Sequence, residues 1–176
     1  MPQIQDLFQP LQSMPLPAVA LRLTLAVVLG GLIGWEREVS ARAAGLRTHM
    51  LISLAAAMFT VVAMELTHFP ADEQEVLRID PLRLIEAVTA GVAFLAAGSI
   101  IFSGGSVRGV TTGASMWLAG AVGLASGTGD GLLAVMGTAL AVVILWIVRI
   151  IATPVHHRQS GDRPDPGARR DPERRQ

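Results

Sequence analysis

The sequence predicts an all-α fold, a multi-pass transmembrane bundle of about five helices with the N-terminus outside and the C-terminus cytosolic. Three observations lead there. Apolar residues make up 51% of the 176-residue chain against 16% charged, and mean hydropathy is +0.50, which excludes an ordinary soluble domain. The apolar residues fall in runs long enough to cross a hydrocarbon core of about 30 Å as helices. Between the first two runs sits a compact polar stretch, residues 36–48, with three arginines and two glutamates, which has to lie at a membrane face.

In order along the chain, residues 1–17 carry Ile4, Leu7, Phe8, Leu11 and Met14 at helical spacing, interrupted by Pro10. This predicts an interfacial or flexible segment. No basic residue precedes the first apolar run, which is also too long for the core of a cleaved signal. The predicted spans are residues 18–35, 49–66, 82–102, 110–127 and 132–151, together a transmembrane domain over 18–151. The first contains a single charge, Arg22, and the fourth is the least apolar because of Thr111, Thr112, Ser115 and its glycines. Gly127, Gly129, Asp130 and Gly131 mark a tight turn between the last two spans, and residues 103–109 form a glycine-rich turn before the fourth. Residues 152–176 are charged and proline-rich without apolar periodicity, which predicts a disordered cytosolic tail.

Arginines near the span ends set the orientation. With the N-terminus outside, the inner face receives Arg37, Arg42, Arg47, Arg108, Arg149, Arg158 and Arg163, and the outer side only Arg22, Arg78 and Arg83. Inside lipid, helices associate through close contact between small residues rather than through the hydrophobic effect. Ala26, Gly30 and Gly34 recur every four residues in the first span, Ser115, Ala119, Gly123 and Gly127 in the fourth, and Gly91 and Gly98 lie among the alanines of the third. Gly30, Gly34, Gly91, Gly98 and Gly123 are therefore the expected packing positions.

Depth sorts the ionisable groups into two layers. Arg22, Glu65, Arg83 and Glu86 fall near the outer leaflet, where an ion pair such as Arg22 with Glu86 is expected; snorkelling to the headgroups is the structural alternative to a functional role. Glu36, Arg37, Glu38, Arg42, Arg47, His49 and Arg108 gather at the inner face, beside the glycine-rich turn. The start of the fourth span, with Arg108 next to Thr111 and Thr112, could receive a carboxylate or phosphate, or an inner-face glutamate could dock there and close the bundle.

Chemistry of other kinds has little to work with. There is no cysteine, hence no disulfide, thiolate nucleophile or thiolate metal site. The middle of the spans holds no acidic residue and no histidine, so a dehydrated-magnesium path through one subunit is poorly supported, and no metal site is expected. No paired central carboxylates and no Ser–His–acid set fall at one depth, so neither enzyme activity nor a cofactor is expected.

Gly34-Trp35-Glu36-Arg37-Glu38, followed by Ala44-Gly45-Leu46-Arg47-Thr48-His49, resembles the paired signature of the MgtC/SapB family of bacterial inner-membrane proteins. Arg83, Gly91, Phe94-Leu95 and Ala97-Gly98 resemble its next block, and Val107-Arg108-Gly109, Thr112 and Trp117 the one after. The likeness covers roughly residues 20–150 in the family's order. The chain departs from it at Ala93 and Ala96, where glycine is usual, at Glu86, where a small residue is usual, and at Ala87, where glutamine is common. Leu118 and Thr111 stand where some virulence-associated members carry cysteine and asparagine. Larger members append a soluble domain resembling an ACT fold, whereas here a short charged tail follows the last span.

The resemblance implies a multi-pass protein of the bacterial inner membrane, tied to growth when magnesium is scarce. It implies modulation of other membrane machinery, such as the ATP synthase or a cation-pump membrane subunit, with an inner-face cluster of Glu36, Arg37, Gly45, Leu46, Arg47, Thr48, Arg108, Gly109 and Thr112. The alternative is a magnesium or other cation transporter or channel component, with Glu65 and Glu86 as outer recruiting charges. The expected partners are the lipid bilayer, such a membrane subunit and a second copy of the chain; nucleic acid is not among them.

Overall fold

In a computed structural model, residues 13–67 and 80–152 are described. The N-terminal stripe Ile4, Leu7, Phe8 and Leu11, the acidic connection with Arg78 and the tail from 153 onward lie outside them. Five helices follow in order: α1 (Leu16–Val39), α2 (Leu46–Leu66), α3 (Pro81–Gly98), α4 (Val110–Thr128) and α5 (Gly131–Ala152). A short antiparallel hairpin, β1 (Ile101–Ser103) and β2 (Ser106–Arg108), joins α3 to α4. By length and composition, α1, α2 and residues 131–151 of α5 are apolar enough to cross a membrane.

Two boundaries differ most from the sequence reading, while α2 starts at Leu46 rather than residue 49. First, α1 runs past Trp35 to Val39, so Glu36 and Arg37 are helical rather than part of a loop. Its end is a left-handed cap: the N–H of Ala41 donates to the Glu38 carbonyl and that of Arg42 to the Arg37 carbonyl, while Ala41 takes φ +50°. Second, the third helix stops at Gly98, not at residue 102. There the Ser99 hydroxyl donates to the Ala96 carbonyl at 2.7 Å, and Ile101 and Phe102 turn into a strand. The reversal at Gly104 and Gly105 uses φ +56° and +79°, a two-residue turn that side chains would oppose.

The starts of α3 and α5 are written locally. Asp80 accepts from the Leu82 N–H at 3.0 Å ahead of Pro81, and Asp130 from the Leu133 N–H at 3.2 Å.

The tightest seam joins α1, α2 and α4. A Cβ at Gly30 would stand 2.6 Å from Ser53 Cβ and 2.7 Å from the His49 carbonyl oxygen, and one at Gly34 2.8 Å from Leu46 Cα. Across the other side of α2, a Cβ at Gly123 would collide with the Ser53 carbonyl, and one at Gly127 would lie 2.6 Å from Thr60 Cβ. Glycine here lets backbones approach as membrane helices do. Around this seam Val88 and Val92 of α3 pack with Ile52, Ala56, Met116 and Ala119, while Leu29 and Ile33 meet Val122, Ala134 and Ala141. The outer surface is itself apolar: Leu21, Phe59, Phe94, Leu140 and Ile144 are all exposed. A bundle apolar both inside and outside is built for lipid rather than water.

Candidate functional site

The polar residues at the α1–α2 connection form two adjoining sets. In the first, Arg37 Nε donates to Glu36 Oε2 at 2.7 Å and the Ser40 hydroxyl donates to Glu36 Oε1 at 2.8 Å. Both charged side chains are nearly buried, Glu36 at 8% and Arg37 at 4% exposure, because the extra turn of α1 carries them into the bundle. Arg37 Nη1 is buried and has no hydrogen-bond partner among the described residues. Leaving such a donor unsatisfied costs about 1–3 kcal/mol, more when charged. Beside it lies a cavity of about 210 Å³ whose wall includes Glu36, Arg37, Ser40, Arg42, Thr111 and Arg149. Three arginines thus line the same wall as one glutamate.

The second set is a buried imidazole. His49, fully enclosed, meets the Gly45 carbonyl at 2.8 Å through Nδ1 and the Ser115 hydroxyl at 3.0 Å through Nε2. A carbonyl only accepts, so Nδ1 carries a proton. The one hydroxyl proton of Ser115 has two acceptors within reach, His49 Nε2 and the Thr112 carbonyl at 2.8 Å. This ties the α2 start to the α4 start. Glu38 adds a local brace, its carboxylate accepting from the Leu46 N–H at 3.0 Å and lying against Gly45.

The structure therefore divides the expected inner-face cluster. Glu36 and Arg37 come together; Gly45 and Thr112 contribute backbone carbonyls around the imidazole; Leu46 contributes the N–H that Glu38 caps. Thr48 is half-buried, and Gly109 rests against the Ser99 carbonyl as the residue preceding α4. Arg47 and Arg108 are exposed, the latter on the hairpin, so Arg108 is not the wall of the cavity; Arg42 and Arg149 are. The sequence reading places Arg149 at the inner face but leaves it out of the cluster because it closes an apolar run, yet an arginine in the last turn of a span is itself the signal. The importance of Ser115 needed the α2–α4 contact, which spacing alone does not give.

At the opposite end, the expected Arg22–Glu86 pair is corrected. Arg22 Nη1 donates to the Gly127 carbonyl at 2.9 Å and approaches Met64 Sδ at 3.7 Å, while Glu65 accepts from the backbone N–H and hydroxyl of Ser13. The reason is topological: α3 packs chiefly on α4, leaving Arg83 and Glu86 exposed on its flank. Gly91 and Gly98 are likewise corrected as packing positions, since a Cβ at either meets nothing within 4 Å. Among the described residues no three His, Asp or Glu side chains come together as metal ligands.

Residues 23–153 match the model of the MgtC family. The chain is similar to MgtC of Brucella abortus, at 36% identity over 80% of this chain and 54% of that protein. It is also similar to SapB of Bacillus subtilis, 35% identical over 77% of this chain and 60% of SapB. YhiD of Escherichia coli K12, whose name assigns it provisionally to magnesium transport, is 33% identical over 71% of this chain and 58% of YhiD. The chain thus spans between half and three-fifths of the length of these relatives. No solved structure matches it.

Proposed function

The chain belongs to the MgtC family, and from that premise we propose that it is a non-enzymatic, multi-pass protein of the bacterial inner membrane that serves magnesium and membrane-energy homeostasis by modulating another membrane complex. The magnesium link rests on YhiD's name. The observation that carries the modulator reading is the α1–α2–α4 seam. Its centre is closed by backbone-to-side-chain contact at Gly30, Gly123 and Gly127, and the buried polar groups there are the hydroxyls of Ser53, Thr60, Ser115 and Ser126 and the single imidazole of His49, with no carboxylate among them. A dehydrating magnesium ion needs several fixed oxygen ligands and strong charge compensation, which small residues and single hydroxyls supply poorly.

The surface for a partner is the end of the bundle carrying exposed Arg47 and the hairpin with exposed Arg108, Ile101, Phe102 and Val107. The arginine balance along the sequence supports reading this end as cytosolic. The partner class is a proton-driven ATP synthase or cation-pump membrane subunit. Mild-detergent capture from native membranes under magnesium limitation, read by immunoblot for such subunits, should recover one with wild type and lose it with Arg47→Ala. The cysteine-free chain permits a check of the shared surface. Arg47→Cys and Arg108→Cys should both react with an impermeant maleimide from the cytosolic side only; labelling on opposite sides rejects the surface.

A second reading, a cation transporter, is favoured by YhiD's name and by Glu86, exposed at the far end of α3. Purified protein in liposomes should pass no magnesium above the leak of empty vesicles. Magnesium flux abolished by Glu86→Ala would replace the modulator reading with this one.

A further inference from the structure

We propose that the arginine-lined cavity between α1, α4 and α5 binds the phosphate of an anionic phospholipid, whose acyl chain lies in the adjoining groove between α1 and α5. The inference is independent of the modulator reading, because it rests on the cavity itself. Three features point to it.

The first is charge. Arg37, Arg42 and Arg149 share the cavity wall with a single carboxylate, that of Glu36, at the end of the apolar bundle. Guanidinium groups match phosphate oxygens in pairs and hold them better than a point cation does. The second is a vacancy in the hydrogen bonding. Arg37 spends Nε on Glu36, and its buried Nη1 has no partner among the described residues. Arg37 also lines the cavity, so a small shift of its guanidinium would let an anion oxygen there supply the missing acceptor, and Thr111 on the same wall carries a hydroxyl donor. The volume of about 210 Å³ is well above the roughly 10–15 Å³ that one water requires, so a headgroup-sized anion has room.

The third is continuity with lipid. Ile144, Leu145 and Val148 form the apolar part of the cavity wall. Glu36 and Arg149 also line a second groove of about 600 Å³, bounded by Leu32, Trp35, Val39, Val143 and Trp146. A free phosphate would use only the cationic part. A phospholipid uses both, with its phosphate at the arginines, its chain along the apolar groove, and the two tryptophans beside it where amphipathic rings favour the membrane interface.

Those tryptophans make the test direct. The full chain carrying Trp117→Phe keeps only Trp35 and Trp146 as emitters, since Trp117 lines a different groove. It is reconstituted in vesicles of phosphatidylcholine containing either brominated phosphatidylglycerol or brominated phosphatidylcholine at equal mole fraction, and tryptophan quenching is measured. Brominated phosphatidylglycerol should quench preferentially. Arg37→Gln should reduce the relative affinity about fivefold, the scale of one arginine's attraction to an anionic lipid surface. Arg42→Gln, an exposed position where folding is not at issue, should reduce it in the same direction. Arg47→Gln, exposed and outside the cavity, should leave it unchanged. Equal quenching by the two brominated lipids overturns the proposal, as does an equal loss in Arg47→Gln and Arg42→Gln. Inorganic phosphate at matched ionic strength should leave the preference intact. Its abolition by phosphate, with no such effect of chloride, would assign the cavity to the free anion and overturn the lipid.

Discussion

The α1–α2–α4 seam and helix α3 carry the same kind of residue and treat it differently. In the seam, glycines and hydroxyls face backbone across a helix pair: Gly30 meets Ser53 and the His49 carbonyl, and Gly123 meets the Ser53 carbonyl. In α3, Gly91 and Gly98 have open space where a Cβ would stand, and Phe94 is 80% exposed. Among the described side chains of α3, Val88 and Val92 are the buried ones in the core, with Leu84 packed against it. A small residue therefore permits close approach without causing it. The approach occurs where small residues on one helix meet small residues or backbone on the next, and where a polar link such as His49–Ser115 fixes the pair.

The sharpest way to break this contrast is one substitution on each side. Gly123→Leu should destabilise the protein by about 3 kcal/mol or more, because neither the Ser53 carbonyl nor Ala56 has room to retreat. Gly91→Leu should leave denaturant unfolding in mild detergent within about 0.5 kcal/mol of wild type, as surface substitutions do. Equal losses in the two variants would mean that α3 is as tightly held as the seam. A smaller effect comes from the polar link. His49→Phe keeps the bulk but strips both bonds, leaving the Gly45 carbonyl and the Ser115 hydroxyl to find other partners; a loss of about 2–3 kcal/mol is expected from the same unfolding measurement. An unchanged midpoint would show that packing alone holds α2 to α4.

The smallest effect sharpens the picture at the end of α1. Ala41 occupies the left-handed cap position that glycine favours, at a cost of roughly 1 kcal/mol. Ala41→Gly should therefore raise stability by somewhat less than about 1 kcal/mol, since glycine also gains freedom in the unfolded chain. A destabilised variant would show that the methyl group packs in a way its exposure does not suggest.

Much of the architecture was readable from residue spacing. The five helices follow from apolar run lengths, and the Gly30–Gly34 and Ser115–Gly127 stripes from a four-residue period on a helix face. Gly91 and Gly98 look the same by that criterion, and what separates them from Gly123 is the presence of a neighbour, which no single helix encodes. The hairpin was hidden for a related reason. Gly104-Gly105 is a two-residue turn signal, but Ile101 and Phe102 continue an apolar run and read as helix until the turn's geometry recruits them. At the candidate site, Glu36 and Arg37 stood out because charge beside a span is costly. Arg42 and Arg149 join them only through the fold: the left-handed reversal after α1 and the return of α5 bring distant parts of the chain to one wall.

Arg22 is the single charge within the first apolar run, and its bond to the Gly127 carbonyl joins α1 to the last turn of α4. Sliding α4 by one helical turn, about 5.4 Å, would carry that acceptor out of range and leave the Arg22 guanidinium without its carbonyl partner. The guanidinium thus acts as a depth gauge: it sets the vertical alignment of two segments that glycine contacts, which recur every turn, would tolerate in more than one register.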